Sequence, residues 1–215
     1  QIVLYQAYNE QDEARFVADV LNDWMNKGGA YEEAAVLYRS NAQSRAIEEA
    51  LLRVSIPYRI YGGLRFYERL EIKNAIAYLR VIFNNNDNPS FERSISNPTR
   101  GVGEKTLAKI RHAAKQYNIS YIKASAKLID EGSISGRGGS GLRDYLEFIA
   151  GCKSFIEENL LSELMELIIK ESGLYAYHGK EPGEKGKTRT ENLEELITAT
   201  KTSNKVLKKK NLILK

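Results

Sequence analysis

The segment Ala35-Val-Leu-Tyr-Arg-Ser-Asn-Ala-Gln-Ser-Arg45 decides the predicted fold, because it joins a short apolar run to a polar helix start. This run, Ala34–Tyr38, is typical of a buried strand in a parallel sheet. Ser40 or Asn41 can cap the helix that follows. The apolar positions of that helix share one face: Ile47, Ala50, Leu51 and Val54.

The same alternation extends outward on both sides of this segment. Ile2–Ala7 and Pro57–Tyr61 are short apolar runs that predict two more strands. Between Ile2–Ala7 and the central strand, Asn9 is placed to cap an amphipathic helix. The predicted order is strand, helix, strand, helix, strand, which makes a small parallel βαβαβ sheet.

After Gly63 the pattern becomes helical. Predicted helices cover residues 68–83, 89–96, 103–117, 119–131, 140–158, 160–172 and 188–200, and Ser133–Gly141 and Tyr177–Lys187 are predicted loops. We place a domain boundary at Gly62-Gly63. The predicted fold class is therefore α/β plus all-α, with an α/β piece over 1–62, a helical domain over 63–200 and an unplaced basic tail over 201–215.

Charge and composition give only weak indications of a partner. The net charge is +4, but residues 201–215 contain six Lys and no acidic residue. Without them, 26 basic residues face 28 acidic ones, so a nucleic-acid interpretation must depend on local motifs. Apolar stretches fall short of the roughly 20 residues that cross a bilayer, and no membrane partner is expected. The single cysteine excludes an internal disulfide and favours a cytoplasmic protein. The start at Gln-Ile-Val-Leu, without Met or a signal-peptide pattern, predicts an excised fragment.

The first candidate site lies where the central strand meets its helix. Ligands of parallel sheets bind beyond the carboxyl ends of strands, and amides at a helix N-terminus attract anions. Long polar side chains there can donate to phosphate oxygens. The candidates are Arg39, Ser40, Asn41, Gln43 and Arg45. A helix cap with solvated arginines explains the pattern equally well at this point.

The second candidate site is a Gly-x-Gly turn that leads directly into a helix. Glycines let backbone amides approach a phosphate without obstruction, as in helix–hairpin–helix elements that hold duplex DNA by its backbone. The candidates are Thr99, Arg100, Gly101, Val102, Gly103, Lys105 and Thr106. The alternative is a plain interhelical turn. If the turn binds DNA, Arg100→Ala is expected to weaken duplex binding by about 1–2 kcal/mol.

Two further motifs are weaker. Arg65, Arg69 and Lys73 recur every four residues, so a helix would align them as a basic stripe for DNA or for salt bridges. Gly183-Glu-Lys-Gly-Lys-Thr188 ends like a phosphate-binding P-loop. That motif needs glycine where Glu181 stands, and it needs a preceding strand, so a nucleotide site is rejected.

Several of these motifs together resemble a known family. They are Ala35–Arg45, Glu48–Leu51, Pro57–Gly63, Arg65–Lys73, Pro98–Gly103 and Gly183–Leu196. In this order, and over about residues 1–200, they resemble the UvrD/Rep/PcrA group of superfamily 1 DNA helicases. The resemblance implies that 1–62 is the start of the second motor domain (2A) and 63–200 much of its helical insertion (2B).

The resemblance also implies roles for the candidate sites. The Arg39–Arg45 segment would touch the backbone of single-stranded DNA, and the Gly101–Gly103 turn would touch duplex DNA. Further candidate DNA contacts are Arg65, Arg69, Lys73, Lys187 and Arg189. Gly62-Gly63 is a candidate hinge, since glycine absorbs large changes in φ and ψ.

For the whole protein, the family implies ATP-driven 3′→5′ DNA unwinding with ATP and Mg²⁺ as cofactors, and repair proteins as partners. This chain has no recognisable Walker lysine, acidic metal motif or arginine finger. We therefore expect no catalytic, cofactor-binding or metal-binding residue in it, and no ATP hydrolysis by the chain alone. The alternative function is a non-enzymatic module that binds nucleic acid or protein.

Overall fold

The computed structural model describes the backbone of residues 2–61 and 63–213, and the side chains up to residue 201 within those ranges. Its α-helices are α1 (Glu10–Asn26), α2 (Ser44–Arg53), α3 (Leu70–Phe83), α4 (Asn88–Ser96), α5 (Glu104–Tyr117), α6 (Tyr121–Asp130), α7 (Gly136–Glu158), α8 (Leu161–Glu171), α9 (Leu174–Gly179) and α10 (Glu184–Ile213). Short 3₁₀ helices cover Tyr31–Glu33, Asn41–Gln43 and Phe66–Glu68. The chain divides into two compact units, Gln1–Arg69 and Leu70–Lys215.

The predicted βαβαβ sheet is wrong, since no residue in the described part of the chain lies in a strand. The three predicted strands have no regular secondary structure, and Ile2, Leu4 and Leu37 are 100 %, 96 % and 95 % exposed. A parallel strand needs a hydrogen-bonded neighbour and cover on both faces. The buried apolar residues of the first unit lie mainly in α1 and α2 instead. The apolar runs predicted buried strands, but several of their side chains are exposed.

The first unit is built on the pairing of α1 with α2. The Asn9 side chain caps α1 by accepting a hydrogen bond from the Asp12 amide at 2.9 Å. Ala18, Leu51 and Ile56 form the buried centre of the pair. The helices therefore hold the segments around them, including the turn at Arg39–Gln43.

The second unit is helical, consistent with the prediction. Its central helix is α3, whose Ile72, Tyr78 and Val81 are fully buried. The helices α4, α7, α8 and α10 pack around α3. Phe91 of α4 and Tyr145 of α7 meet edge to face in this core, with ring centroids 5.5 Å apart.

Two predicted loops are wrong in part. Ser133–Gly141 contains the start of α7 at Gly136, and Tyr177–Lys187 contains parts of α9 and α10, which leaves 180–183 between them. Glycine lowers helix propensity, but close packing at the α7 start overrides it, as described below. The predicted tail continues α10 to Ile213, while its side chains from Thr202 onward lie outside the described residues.

Among the helices of the described chain, none combines the length and apolar character that a membrane span requires.

Candidate nucleic-acid interface

The Arg39–Gln43 turn closes on itself. The Ser40 hydroxyl accepts from the Ala42 amide at 3.3 Å. The Gln43 side-chain oxygen accepts from the amides of Arg39 at 3.0 Å and Ser40 at 2.9 Å. A neutral side chain of the protein therefore occupies the amides that were predicted to face a DNA phosphate. The side chains of Arg39 and Asn41 remain exposed.

Arg45 points into the first unit. Its side chain is only 1 % exposed and pairs with Glu49 at 2.8 Å and Glu10 at 3.7 Å. A phosphate cannot reach a guanidinium that is buried in this way. The structure thus separates Arg45 from Arg39 and Asn41, although the three were predicted as one site.

A cleft of about 270 Å³ lies beside this turn, between α1 and α2. Tyr38, Arg39 and Gln43 line one part of it, and the carboxylates of Glu10 and Glu13 line another. The negative charges of these two carboxylates disfavour a phosphate inside the cleft. An anion would therefore meet the turn from its exposed side.

The predicted basic stripe does not form, because Arg65 and Arg69 lie before α3 begins at Leu70. Arg65 is exposed and stands over the Tyr58 ring at 5.2 Å. Arg69 is 8 % exposed and bonded within the first unit. Lys73 is exposed on α3. Of the predicted hinge, Gly62 lies outside the described residues and Gly63 is exposed.

The Gly101–Lys105 turn is open, in contrast to the first site. Gly101 has φ +74, which favours glycine, and Gly103 caps α5 without a side-chain hydrogen bond. No described residue accepts a hydrogen bond from the amides of Gly101 to Lys105; the first amide to be bonded is that of Thr106, to Gly103 O at 3.0 Å. Thr99, Gly101, Gly103 and Lys105 are exposed, and Val102 and Thr106 are half-buried.

The carboxylate nearest this open turn has a partner of its own. Glu104 pairs with Arg111, which also binds Glu92 through two hydrogen bonds of 2.6 Å. These bonds, first those to Glu92, raise the pKa of Arg111. Glu104 shares the Arg111 cation with Glu92, so the three side chains together keep one negative charge near the turn. No hydrogen bond joins the Glu104 carboxylate to the amides of the turn among the described residues.

Arg100, the predicted duplex contact, faces the protein. Its guanidinium donates to the carbonyl oxygens of Pro98 at 2.9 Å, Ser94 at 3.1 Å and Ser172 at 2.8 Å. It also lies over the rings of Tyr78 and Tyr145, at 5.6 and 5.5 Å.

Burial raises the pKa of Tyr78 to about 12 and raises that of Tyr145 as well, so both partners are neutral at physiological pH. Arg100 therefore holds the turn in place while its positive charge meets only neutral groups among these partners.

The glycine-rich start of α7 packs directly on this turn. A Cβ at Gly141 would lie 1.9 Å from the Arg100 carbonyl oxygen, and one at Gly138 would lie 3.1 Å from that of Gly101. This approach puts Arg137 against the turn, where a Cβ on Gly101 would meet Arg137 Cγ at 2.9 Å. Arg137 is exposed, and no ion pair joins it to another described residue.

Sequence reasoning missed Arg137 because Ser133–Gly141 was interpreted as a flexible loop. The signal was the spacing of Gly138 and Gly141, three residues apart and directly after Arg137. Small residues at this spacing share one helix face and permit close packing.

The remaining candidates lie at the start of α10. Lys187 is exposed. Arg189 has a side chain 17 % exposed, which pairs with Glu181 and lies 3.6 Å from Glu71. Arg189 thus belongs to an internal ion-pair network and has little surface for DNA.

The comparisons with known proteins define the class of the chain. Residues 1–135 match the UvrD-like helicase C-terminal domain, so the chain belongs to this family. This agrees with the resemblance described from the sequence motifs.

Particular relatives are DNA helicases. DNA helicase II of Escherichia coli K12 is 48 % identical over 200 residues, which are 93 % of this chain and 28 % of that protein. DNA helicase II of Salmonella typhimurium LT2 is also 48 % identical over 200 residues, with the same coverage. The ATP-dependent DNA helicase PcrA of Leuconostoc citreum is 38 % identical over 202 residues, 94 % of this chain and 27 % of that protein. The chain thus spans little more than a quarter of these relatives.

Proposed function

We propose that this chain is the part of an ATP-dependent DNA helicase that grips DNA by its phosphate backbone. The observation that carries the proposal is the open row of amides from Gly101 to Lys105, flanked by the exposed cations of Lys105 and Arg137. Backbone amides and a helix N-terminus bind phosphate regardless of base sequence. A helicase needs this property, since it must move along DNA of any sequence.

The duplex contact is assigned to the second unit. Gly101 and Gly103 carry no side chain that would keep a phosphate away from the amides. Lys105 and Arg137 supply charge, and Thr99 and Thr106 supply hydroxyl groups. Arg100 is a positioning residue in this proposal, because its donors are bound to carbonyl groups.

The single-strand contact is assigned to the first unit. Arg39 and Asn41 are the exposed donors of the turn, while Ser40 and Gln43 hold its shape. Arg45 supports α2 from inside. The exposed Arg65, Lys73 and Lys187 are proposed as peripheral contacts whose charge attracts DNA.

The activity of the whole protein is also a proposal. We assign it ATP-driven 3′→5′ unwinding with ATP and Mg²⁺ bound outside this chain, a cytoplasmic location, and repair proteins as partners. No group of three His, Cys, Asp or Glu side chains among the described residues is arranged to hold a metal ion. We also propose that the chain alone does not hydrolyse ATP. Domains 2A and 2B and their hinge at Gly62-Gly63 are part of the same proposal.

The test is the salt dependence of DNA binding by the 215-residue chain. Fluorescence anisotropy would compare a blunt duplex, a single strand and a duplex with a 3′ single-stranded tail. We expect the tailed duplex to bind most tightly, and binding to weaken steeply with salt. A protein-interaction module would bind none of the three, and that result would overturn the proposal.

Arg137→Gln makes the test specific to the turn. Loss of one phosphate contact should lower the slope of log K against log salt by about 0.9 on duplex DNA. Lys153→Gln is the matched control, since Lys153 is exposed on the same helix, about 24 Å from Arg137 along its axis. Equal slopes for the two variants would show that Arg137 does not contact a DNA phosphate.

A further inference from the structure

We propose that Arg69 is a positioning residue for single-strand binding, which holds the Arg39–Gln43 turn without touching DNA. This inference rests on the proposed strand contact of Arg39 and Asn41. The spacing of Arg69 with Arg65 and Lys73 had predicted a surface cation instead. The structure gives Arg69 a different task, because it is 8 % exposed.

The Arg69 guanidinium connects two segments of the first unit. Its Nη1 donates to the carbonyl oxygen of Asn41 at 2.9 Å, and its Nη2 donates to the Ser44 hydroxyl at 2.7 Å. Its Nε donates to the carbonyl oxygen of Leu64 at 3.3 Å. One planar group thus ties the turn and the start of α2 to the segment that precedes α3.

Glu48 completes the arrangement from the other side. Its buried carboxylate accepts from the Ser44 hydroxyl at 2.8 Å, from the Phe66 amide at 3.2 Å and from the Tyr58 hydroxyl at 3.1 Å. The Ser44 hydroxyl therefore accepts from Arg69 and donates to Glu48. A buried network that is satisfied in this way favours a single conformation, because any other one leaves polar groups unpaired.

The turn needs such support. It is a 3₁₀ helix of three residues, Asn41–Gln43, a length at which the local hydrogen bonds give little stability. Asn41 offers its side chain to solvent while its carbonyl group is held by Arg69. Arg69 thereby pre-organises the donors of the turn, which lowers the entropy cost of binding a strand.

Arg69→Lys tests the inference. Lysine keeps the charge, but it lacks the planar guanidinium that donates to Asn41, Ser44 and Leu64. We expect affinity for a single-stranded oligo(dT) to fall about five- to tenfold, with an unchanged salt slope, since no phosphate contact is lost. Arg39→Gln should instead lower the slope by about 0.7. Arg59→Lys, at an exposed position of the same unit, is the matched control and should change neither quantity.

Hydrogen exchange gives a second measurement that does not depend on DNA. The amides of Ala42 and Gln43, both bonded within the turn, should exchange faster in Arg69→Lys and in Ser44→Ala, while those of α1 should not. Ser44→Ala removes the hydroxyl that Arg69 and Glu48 share, so it should also weaken strand binding.

Wild-type affinity in a folded Arg69→Lys variant would overturn the inference. A drop of about 0.7 in its salt slope would also overturn it, by showing that Arg69 itself contacts phosphate. If the wild-type chain fails to bind oligo(dT), the proposed strand contact fails; the exchange rates then still decide whether Arg69 holds the turn.

Discussion

An arginine beside a DNA-binding turn can serve either the nucleic acid or the protein, because its guanidinium carries five N–H donors and a permanent charge. Arg100 and Arg137 divide these tasks in the second unit. Arg100 donates hydrogen bonds to the carbonyl groups of Pro98, Ser94 and Ser172. Arg137 is exposed and lies against Gly101. The pair explains how one turn can be both rigid and attractive to phosphate.

His178 provides a residue-scale prediction about pH. It is fully buried, its Nδ1 lies 3.5 Å from Glu181 and 3.4 Å from Arg189, and its Nε2 has no partner among the described residues. Burial lowers the pKa of His178 below its ordinary value. The unfolded chain therefore binds the proton more readily than the folded one. The free energy of unfolding should fall as pH drops below about 6.5.

Urea unfolding between pH 7.5 and 5.5 measures this effect. In wild type, His178 should change the free energy of unfolding by at most about 1.4 kcal/mol per pH unit, the limit for one proton. His178→Gln should remove this contribution. His112→Gln, at an exposed position, is the control and should retain the wild-type dependence. Identical pH profiles for wild type and His178→Gln would contradict the prediction.

How far single residues can be predicted from sequence depends on the distance to their partners. Arg39 and Lys105, which motif position predicts as DNA contacts, are both exposed. Motif position could not show that Arg100 faces inward, because its acceptor Ser172 is 72 residues away in the chain. The charge of a guanidinium is visible in a sequence, but the groups that use its donors are not.

At the scale of elements, the start of α7 packs closely on the turn that we propose as the duplex contact. Gly141 allows the helix to approach the Arg100 carbonyl group so closely that a Cβ would lie 1.9 Å from the oxygen. Gly151 lies in the same helix with no described atom within 4 Å of its would-be Cβ. The two glycines therefore differ in the packing that an added methyl group would meet.

The prediction concerns this pair. Gly141→Ala should lower the free energy of unfolding by about 1–3 kcal/mol and weaken duplex binding, since α7 and Arg137 must shift away from the turn. Gly151→Ala should raise it by about 0.5–1 kcal/mol, because alanine favours an exposed helix interior. Urea denaturation and duplex titration of both variants are the measurements. A Gly141→Ala variant with wild-type stability and duplex affinity would show that close packing is unimportant there.

Elements were predictable where one periodic pattern decided their structure. The amphipathic helices α3, α4, α5 and α8 follow from the spacing of their apolar residues. The strands were not predictable, because an apolar run such as Ala34–Tyr38 carries no information about the neighbour it would need. The α7 start was missed for a related reason: the benefit of its glycines comes from a turn about 40 residues earlier.

At the scale of the whole molecule, we propose one DNA contact on each of the two compact units. In this proposal the Gly101–Lys105 turn makes the duplex contact, and the Arg39–Gln43 turn makes a strand contact through side chains alone. Membership of the UvrD-like helicase C-terminal domain family could be predicted from the order of motifs, whereas the state of the two helix starts could not. That state depends on whether a local side chain, such as Gln43, reaches the free amides.

The central claim is that the amides from Gly101 to Lys105 bind DNA phosphates. Amide NMR of the 15N-labelled 215-residue chain, titrated with a short duplex, tests it most directly. We predict that these five amides show the largest shift changes, downfield as expected for charge-assisted hydrogen bonds, while the amides of Arg39 and Ser40 change little. Duplex binding that leaves the Gly101–Lys105 amides unshifted would contradict the account.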